Sequence, residues 1–482
     1  MAKINGKSLR EELDHIKSEF EKLSEKNKIS VESRALFMAM LVLFDLVFAI
    51  FLEKTTPKNS KNSSQPSSQT EKDESSIQAG SNGKGKLENE ERFSNSRTRE
   101  IVRTAKVSVC EICGEDLRGI SSCQHERRTK IDIVFEKVVT HIDAEIKACP
   151  NCHEQTRGSF PADMAGPLQY GEGVKAFALN LFIGQMVALN RIQKLIKTLI
   201  GIAISEATIL SYVLQLHRAL EKWETATVEA LLKAPSLHVD ETSLRVDKSN
   251  HWIHVYASGD LTLKFLHARR GKEAIEDINI IPRYGGVTIH DCWASYLSYD
   301  HCDHGLCGSH LLRELTFVVD SNGYAWAGNL KRLLQETCAK VSRRKRKKLT
   351  SAEYARLQKR YRNILTRGER ELPAIPPRQN GKRGKVAKTD AHNLWERLSR
   401  HEHAVLLFAR YSHVSFTNNR AEQDLRMSKV KQKVSGCFRK IEFAKAYCRI
   451  SSYLQTMANK GYNPMVAIQL ALAGEIYAQA GE

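Results

Sequence analysis

The chain has 482 residues, 41% of them hydrophobic, which is enough for about three domains with packed cores and points to a soluble, multi-domain protein. Eleven cysteines without a secretory signal argue against a disulfide scaffold and for a reducing compartment. Lys and Arg outnumber Asp and Glu by 74 to 55, a net charge of +19.

That excess is local: residues 331–388 hold 20 basic and 4 acidic side chains. Clustered cations gain from phosphates through counterion release. The segment is therefore read as a nucleic-acid contact in preference to a solvated helical face or a flexible basic loop. Charge alone does not separate DNA, RNA and anionic lipid.

In chain order, Leu9, Leu13, Ile16, Phe20 and Leu23 fall at helical spacing and predict an amphipathic or coiled-coil segment. Residues 35–52 are almost wholly apolar, with Asp45 the single charge. A membrane span is one reading, but the run is short, and a central Asp would cost about 2.5 to 3.5 kcal/mol on insertion. Leu36, Leu43 and Ile50 also repeat every seven residues. Residues 1–54 are thus read as N-terminal helices of a homo-oligomer, with no membrane partner. Residues 55–100 turn to Ser, Asn, Lys, Gln, Pro and Gly, too polar to offset chain entropy, and are read as a linker.

The next unit, 101–160, contains Cys110-Glu-Ile-Cys113 and Cys149-Pro-Asn-Cys152. Two such turns suit tetrahedral zinc, because each presents two thiolates to one ion. The 35 residues between the pairs exceed the common spacing, and 129–134 and 138–142 read as strands that fill the gap. Four protein ligands leave no open position, so the zinc would be structural; Cys123, His125 and His153 are read as bystanders.

From 161 to 232 the pattern is helical. Gly201 can end one helix and Ser205 can cap the next, a helix-turn-helix arrangement with the segment from Ser205 as candidate recognition helix. Any helical hairpin in a core is punctuated in the same way. After Pro235 the periodicity becomes strand-like: 236–246, 251–257 and 261–267 read as strands, 273–278 as a short helix and 287–290 as a fourth strand. This β-β-β-α-β order predicts an α/β unit with a mixed sheet.

Three acids stand out. Asp240 lies in Leu237-His-Val-Asp-Glu-Thr242, Asp291 follows the fourth strand, and Glu422 opens a helix. Breaking a phosphodiester puts negative charge on both the attacking and the leaving oxygen. Two divalent ions held by carboxylates can stabilise both, and hard oxygen ligands suit Mg2+ or Mn2+. Taken alone, each acid is equally a turn, cap or dipole residue. Glu241 should point to the opposite side of the strand and is left out of the triad.

Several motifs together resemble the insertion sequence 66 family of DNA transposases: the two CxxC pairs, Gly158-Ser-Phe-Pro161, Gln169-Tyr-Gly171, His238-Val-Asp-Glu-Thr242, His290-Asp-Cys-Trp293, Cys307-Gly-Ser-His310 running into Leu315, and Asn418-Asn-Arg-Ala-Glu422 followed by 429–438. The resemblance covers nearly the whole chain from the linker onwards. It implies a ribonuclease H-like catalytic domain, 233–440, in which Asp240, Asp291 and Glu422 form a DDE triad. It also implies a helical insertion at about 329–410, which would account for the 130 residues between Asp291 and Glu422. Residues 441–482 would form C-terminal helices.

The implied activity is cleavage of DNA at the ends of an insertion sequence and strand transfer to a target. A catalytically silent regulator of element ends and a stand-alone nuclease remain the alternatives, and accessory proteins from the same element are possible partners. The cations expected on DNA are Lys331, Arg332, Arg343, Arg344, Lys345, Arg346, Lys347, Lys348, Arg420, Arg426, Lys429, Lys431 and Lys433. Cys307 and His310 resemble the CxxH motif of related transposases; a thiol–imidazole pair and a zinc half-site with Cys302 and His304 are open readings, and a packing and hydrogen-bond role is preferred. One departure is Gln423, where many relatives carry Arg.

Overall fold

The structure is a computed structural model, and it describes residues 6–25, 31–56, 58, 62, 102–131, 133, 135–164, 166–375 and 388–475. The expected linker lies almost wholly outside the described residues, as does the part of the basic segment at 376–387. The chain forms two compact units, one drawn from Met1–Gly83 and Glu224–Arg439, the other from Lys84–Trp223 and Lys440–Glu482. The C-terminal helices expected over 441–482 fall in the same unit as the helical region before the sheet.

Two helices open the chain, α1 (Gly6–Glu25) and α2 (Val31–Thr55). Phe20 stacks on Phe37 with ring centroids 4.2 Å apart. Lys17 reaches Asp45 at 3.0 Å, so the charge inside the apolar run has a cation partner. By length and composition α2 could cross a membrane. Leu41, Leu46 and Ala49 are nevertheless buried in protein, while Leu36, Met40, Leu43, Phe44, Val47 and Phe51 are exposed.

In the second unit β1 (Ile146–Ala148) and β2 (Gln155–Arg157) pair antiparallel. The two strands expected within 129–142 do not form among the described residues. Ile131, Ile133, Val138 and Val139 there are exposed, and alternation without a partner or a face to bury does not hold a strand. Helices α3 (Glu172–Leu179), α4 (Leu189–Ile200) and α5 (Glu206–Ala219) follow, α3 running into one π-helical turn at Asn180–Gly184. Gly201 ends α4 at φ 70°, and Ser205 caps α5 by accepting the Thr208 N–H at 3.0 Å, as their sequence positions predict. Ile192, Ile196, Ile204 and Ile209 fill the core between these helices.

Helix α6 (Glu221–Leu232) leads into the sheet. Strands β3 (Ser236–Val246), β4 (Ser249–Ser258) and β5 (Leu261–His267) form an antiparallel meander. Asp247 and Lys248 take φ of 43° and 65° in the turn between the first two, the twist a two-residue hairpin needs. After α7 (Lys272–Ile278) come β6 (Val287–His290) and β7 (Asp303–Leu306). β6 pairs parallel with β3, and β7 parallel with β6, giving a mixed five-stranded sheet in the order β5-β4-β3-β6-β7. All four residues of β6 are buried, as a strand covered on both faces requires.

Five helices interrupt the return to the sheet: α8 (Gly308–Asn322), α9 (Ala325–Ser342), α10 (Ser351–Glu371), α11 (Asp390–Arg400) and α12 (Glu402–Arg410). Leu311, Leu315, Trp326, Leu330, Tyr361, Leu394 and Leu406 share one core with Val287, Ile289 and Leu306 of the sheet. Helix α13 (Asn419–Ser435) then packs on β3 and β4. Helices α14 (Ile441–Asn459) and α15 (Pro464–Ala473) complete the second unit, both against α5, and α15 also against α3.

The opening helices are tied to this helical layer. Glu53 of α2 is 7% exposed. It accepts the N–H groups of Asp390 at 2.6 Å and Ala391 at 2.9 Å, at the start of α11, and the Asn322 amide at 3.1 Å, at the end of α8. A carboxylate there satisfies amides that the first turn of a helix leaves open.

Candidate active site

The parallel register sets Ser236 beside Val287, Leu237 beside Thr288 and His238 beside Ile289. Two residues further along both strands stand Asp240 and Asp291, carried to the same face by the alternation of side chains. The next strand continues the row: His290 pairs with Leu306, and the Cys307 N–H donates to the His290 carbonyl at 2.8 Å. Both acids lean on nearby backbone. Asp240 Oδ1 accepts the Glu241 N–H at 2.9 Å, and Asp291 Oδ1 accepts the Trp293 N–H at 3.1 Å.

The turn after Asp291 is unusual. Cys292 takes φ 74°, a conformation that side-chain-bearing residues seldom adopt. A histidine relay holds it. The Cys292 N–H donates to His290 Nδ1 at 3.1 Å, so His290 Nε2 carries the proton and donates to His304 Nδ1 at 3.1 Å. His304 Nε2 in turn donates to the Tyr299 carbonyl at 2.9 Å. Burial keeps His290 well below the usual imidazole range, and the neighbouring His304 adds to that.

Glu422 arrives from the first turn of α13, whose start is tied down by one residue. Asn418 donates its side-chain amide to the Val239 carbonyl at 2.7 Å and accepts from His238 Nδ1 at 2.9 Å. Its backbone N–H reaches the Cys307 thiol at 3.1 Å. One turn later Asp424, 3% exposed, accepts the Thr262 hydroxyl at 2.7 Å and pairs with Arg420 at 3.3 Å. Gly308 gives its N–H to the Phe416 carbonyl at 2.7 Å, and a Cβ there would fall 2.2 Å from the Phe416 ring. Only glycine lets α8 approach the segment that leads to Glu422.

Cys307, His310 and Glu422 thereby gather three ligand-type atoms within 4.8 Å of one another, with His310 Nδ1 3.6 Å from Glu422 Oε1. Burial raises the Cys307 thiol and lowers the His310 imidazole. The charges converge as well. Burial pushes the Asp240 carboxyl well above the usual carboxylate range, and Glu241, Asp291 and Glu422 push in the same direction.

Sequence reasoning set Glu241 aside as facing away from Asp240, and the register does place it opposite His254 on the other side of the strand. Its side chain is nonetheless 2% exposed and lies near enough to Asp291 for that charge, after burial, to raise its carboxyl. It is held by Arg270 at 2.7 Å and by the Tyr296 hydroxyl at 2.6 Å. The Asp-Glu doublet was the only local signal; Arg270 and Tyr296 are distant in sequence.

The family model described as "Transposase IS66 family" matches residues 167–446, more than half of the chain. The chain belongs to the IS66 family of transposases. No curated protein matches it. Membership makes it a DNA-processing enzyme with DNA as its partner, and the matched span contains the sheet, the helical layer and all three acids.

Outside the matched span of this IS66 family member lie the two CxxC turns, built alike. The Cys110 N–H donates to the Glu115 carbonyl at 2.9 Å and the Gly114 N–H to the Cys110 carbonyl at 2.9 Å; Cys149, Glu154 and His153 repeat the pattern at 2.8 and 2.9 Å. In each turn backbone N–H groups of the following residues also hold the first thiol below its usual range: Cys113 and Ile112 act on Cys110, Cys152 and Asn151 on Cys149. Amides aimed at sulfur favour the thiolate, the form that binds metal. Among the described residues the four thiols are not drawn to a single point.

The cations expected on DNA fall into two groups. Arg332, Arg343, Lys345, Arg346, Lys347, Lys348, Arg426 and Lys433 are exposed, and Lys331 and Lys429 are half-buried. Lys347 also donates its ammonium to the Ser342 carbonyl at 2.5 Å, and Arg344, Arg420 and Lys431 are engaged within the fold. Arg344 grips Glu353 with two bonds, at 2.7 and 2.5 Å, next to the Thr350 cap of α10. Arg420 serves the Asp424 network, and Lys431 is 8% exposed with its ammonium over the Phe438 ring.

Helix α5, the candidate recognition helix, packs against α3, α4, α14 and α15. Ala207, Ser211 and Gln215 keep one exposed stripe along it.

Proposed function

We propose that this protein cleaves DNA at the ends of an insertion sequence and joins the freed 3′ hydroxyl to a target, with Asp240, Asp291 and Glu422 as its catalytic carboxylates. The observation that carries the reading is the parallel β3–β6 register, which brings Asp240, inside β3, and Asp291, just past the end of β6, to neighbouring positions, together with the contribution of Glu422 to the raised Asp240 carboxyl. The strand order, an antiparallel meander continued by two parallel strands, supports a ribonuclease H-like domain carrying a helical insertion.

The donor set suits Mg2+ or Mn2+. Clustered carboxylates in a poorly solvated site are costly without a cation, and all three offer hard oxygen ligands. Two such ions would stabilise the attacking and leaving oxygens of an in-line displacement at phosphorus. Asp240 presents oxygen from within β3 and Asp291 from just past the end of β6, and Asn418 fixes the helix that brings Glu422 toward them. Water is the first nucleophile and the 3′ hydroxyl the second.

Cys110, Cys113, Cys149 and Cys152 would hold one structural zinc, and the paired N–H donors at each turn support that role. The exposed cations at 343–348 would grip phosphate, and the outer face of α2 supports a homo-oligomer.

The test is strand cleavage of element-end DNA with Mg2+ by the wild-type chain and by Asp240→Asn. Loss of cleavage in the variant with DNA binding retained is expected. Full activity in the variant would remove Asp240 from the chemistry.

A further inference from the structure

A second cluster borders the acids on the other side of the sheet. Glu241 and His254 are register partners, so Trp252, two residues from His254 on β4, shares their face, opposite to that of Asp240. Arg270, in the loop after β5, lies between two indoles, its guanidinium carbon 5.0 Å from the Trp252 ring centroid and 4.5 Å from that of Trp293. Glu241 fixes it there at 2.7 Å. Trp293 is itself positioned by the site, since its backbone N–H bonds Asp291 and its ring meets Tyr296 edge-on at 5.4 Å.

The stack is not sealed. The Arg270 side chain is 43% exposed, and both indoles are half-buried. The flanking loop adds Arg269, 70% exposed, and Lys272, whose ammonium lies over Tyr299. Cations interleaved with open aromatic faces are the means by which proteins hold unpaired nucleotides: the base stacks and the phosphate pairs. A duplex keeps its bases stacked on each other and cannot use such a face.

We propose that the Trp252–Arg270–Trp293 stack binds an unpaired nucleotide of the DNA strand being processed, its base against Trp293 and its phosphate toward Arg270 and Arg269. This rests on the reading of the chain as a DNA-cleaving enzyme. It goes beyond that reading by assigning a site for single-stranded DNA next to Asp291. Glu241 is then a positioning residue, which sets the guanidinium plane from behind.

The experiment uses the full chain carrying Asp240→Asn and two probes, a single-stranded oligonucleotide containing 2-aminopurine and the matching duplex. Quenching of the 2-aminopurine is expected on binding. Adding Trp293→Ala should weaken the single strand about tenfold, in the range of one lost base stack, and leave the duplex unchanged. Trp293→Phe, which keeps a stacking face, should retain most of the binding and guards against a folding defect.

Equal binding of the single strand by the Trp293→Ala protein, or equal weakening of both probes, overturns the proposal. Because no cleavage is read, a selective single-strand defect sustains the site even if the wild-type chain cuts no DNA. Normal cleavage with no such defect overturns the site alone.

Discussion

The backbone N–H of Asn418 ends on the thiol of Cys307, 3.1 Å away, and so links the strand row holding Asp291 to the helix holding Glu422. The thiol is 1% exposed and serves as an acceptor, not as a nucleophile. Replacing Cys307 with Ala leaves that amide without its partner, at a cost of about 1 to 3 kcal/mol. Strand cleavage should fall more than DNA binding, because Glu422 moves while the cationic surface does not. Urea unfolding and parallel cleavage and binding assays check this; an equal loss in both assays would point to general unfolding.

Asp240 should limit stability in the absence of metal. Its carboxyl is raised, so the stability it contributes is present below the unfolded value near 3.8 and is lost as pH rises through the folded value. At neutral pH the ionised group is a burden, and Asp240→Asn should raise the unfolding free energy. Magnesium or manganese should raise the melting temperature of the wild type and not of the variant. Thermal unfolding with and without metal measures both.

His254 supplies a separate pH effect. It is 1% exposed, donates from Nε2 to the Arg269 carbonyl at 3.3 Å, and is lowered to about 4, chiefly by burial. The stability linked to its neutral form is present above about 6.5 and is lost as pH falls toward 4. The loss across that window is about 3 kcal/mol. His254→Gln should flatten this part of the stability profile, as followed by urea unfolding at stepped pH.

Glu53 is the clearest test of the opening helices. Glu53→Ala leaves the Asp390 and Ala391 amides without their acceptor and should cost about 1 to 3 kcal/mol. Hydrogen exchange should rise at the start of α11 before it rises in the sheet. Unchanged protection there would mean that α2 does not dock in solution.

Much of the first unit was legible because its signals are local. The strands at 236–246, 261–267 and 287–290 follow from period-two apolar runs, and Gly201 and Ser205 mark a helix end and a helix start by their own chemistry. The strands expected within 129–142 failed for the opposite reason: a pattern of Ile and Val cannot report that no partner face exists. Glu241 was set aside by a correct rule about alternation, which does not see Arg270 or Tyr296 folding over it. Lys431 and Arg420 counted as surface cations because charge in sequence carries no record of burial. The contacts of Glu53 with Asp390 and Ala391 join residues 337 and 338 positions apart and have no local signature.

The interleaved order of the two units bears on how the chain is made. The second unit takes its last two helices from Lys440–Glu482, after the whole of the sheet and its helical layer. On the ribosome, α3, α4 and α5 must therefore wait, with part of their apolar surface uncovered, until Lys440–Glu482 has been made. A stop between Glu422 and Lys440 would release a chain with Asp240, Asp291 and Glu422 present but without α14 and α15, prone to aggregation and to removal by proteases.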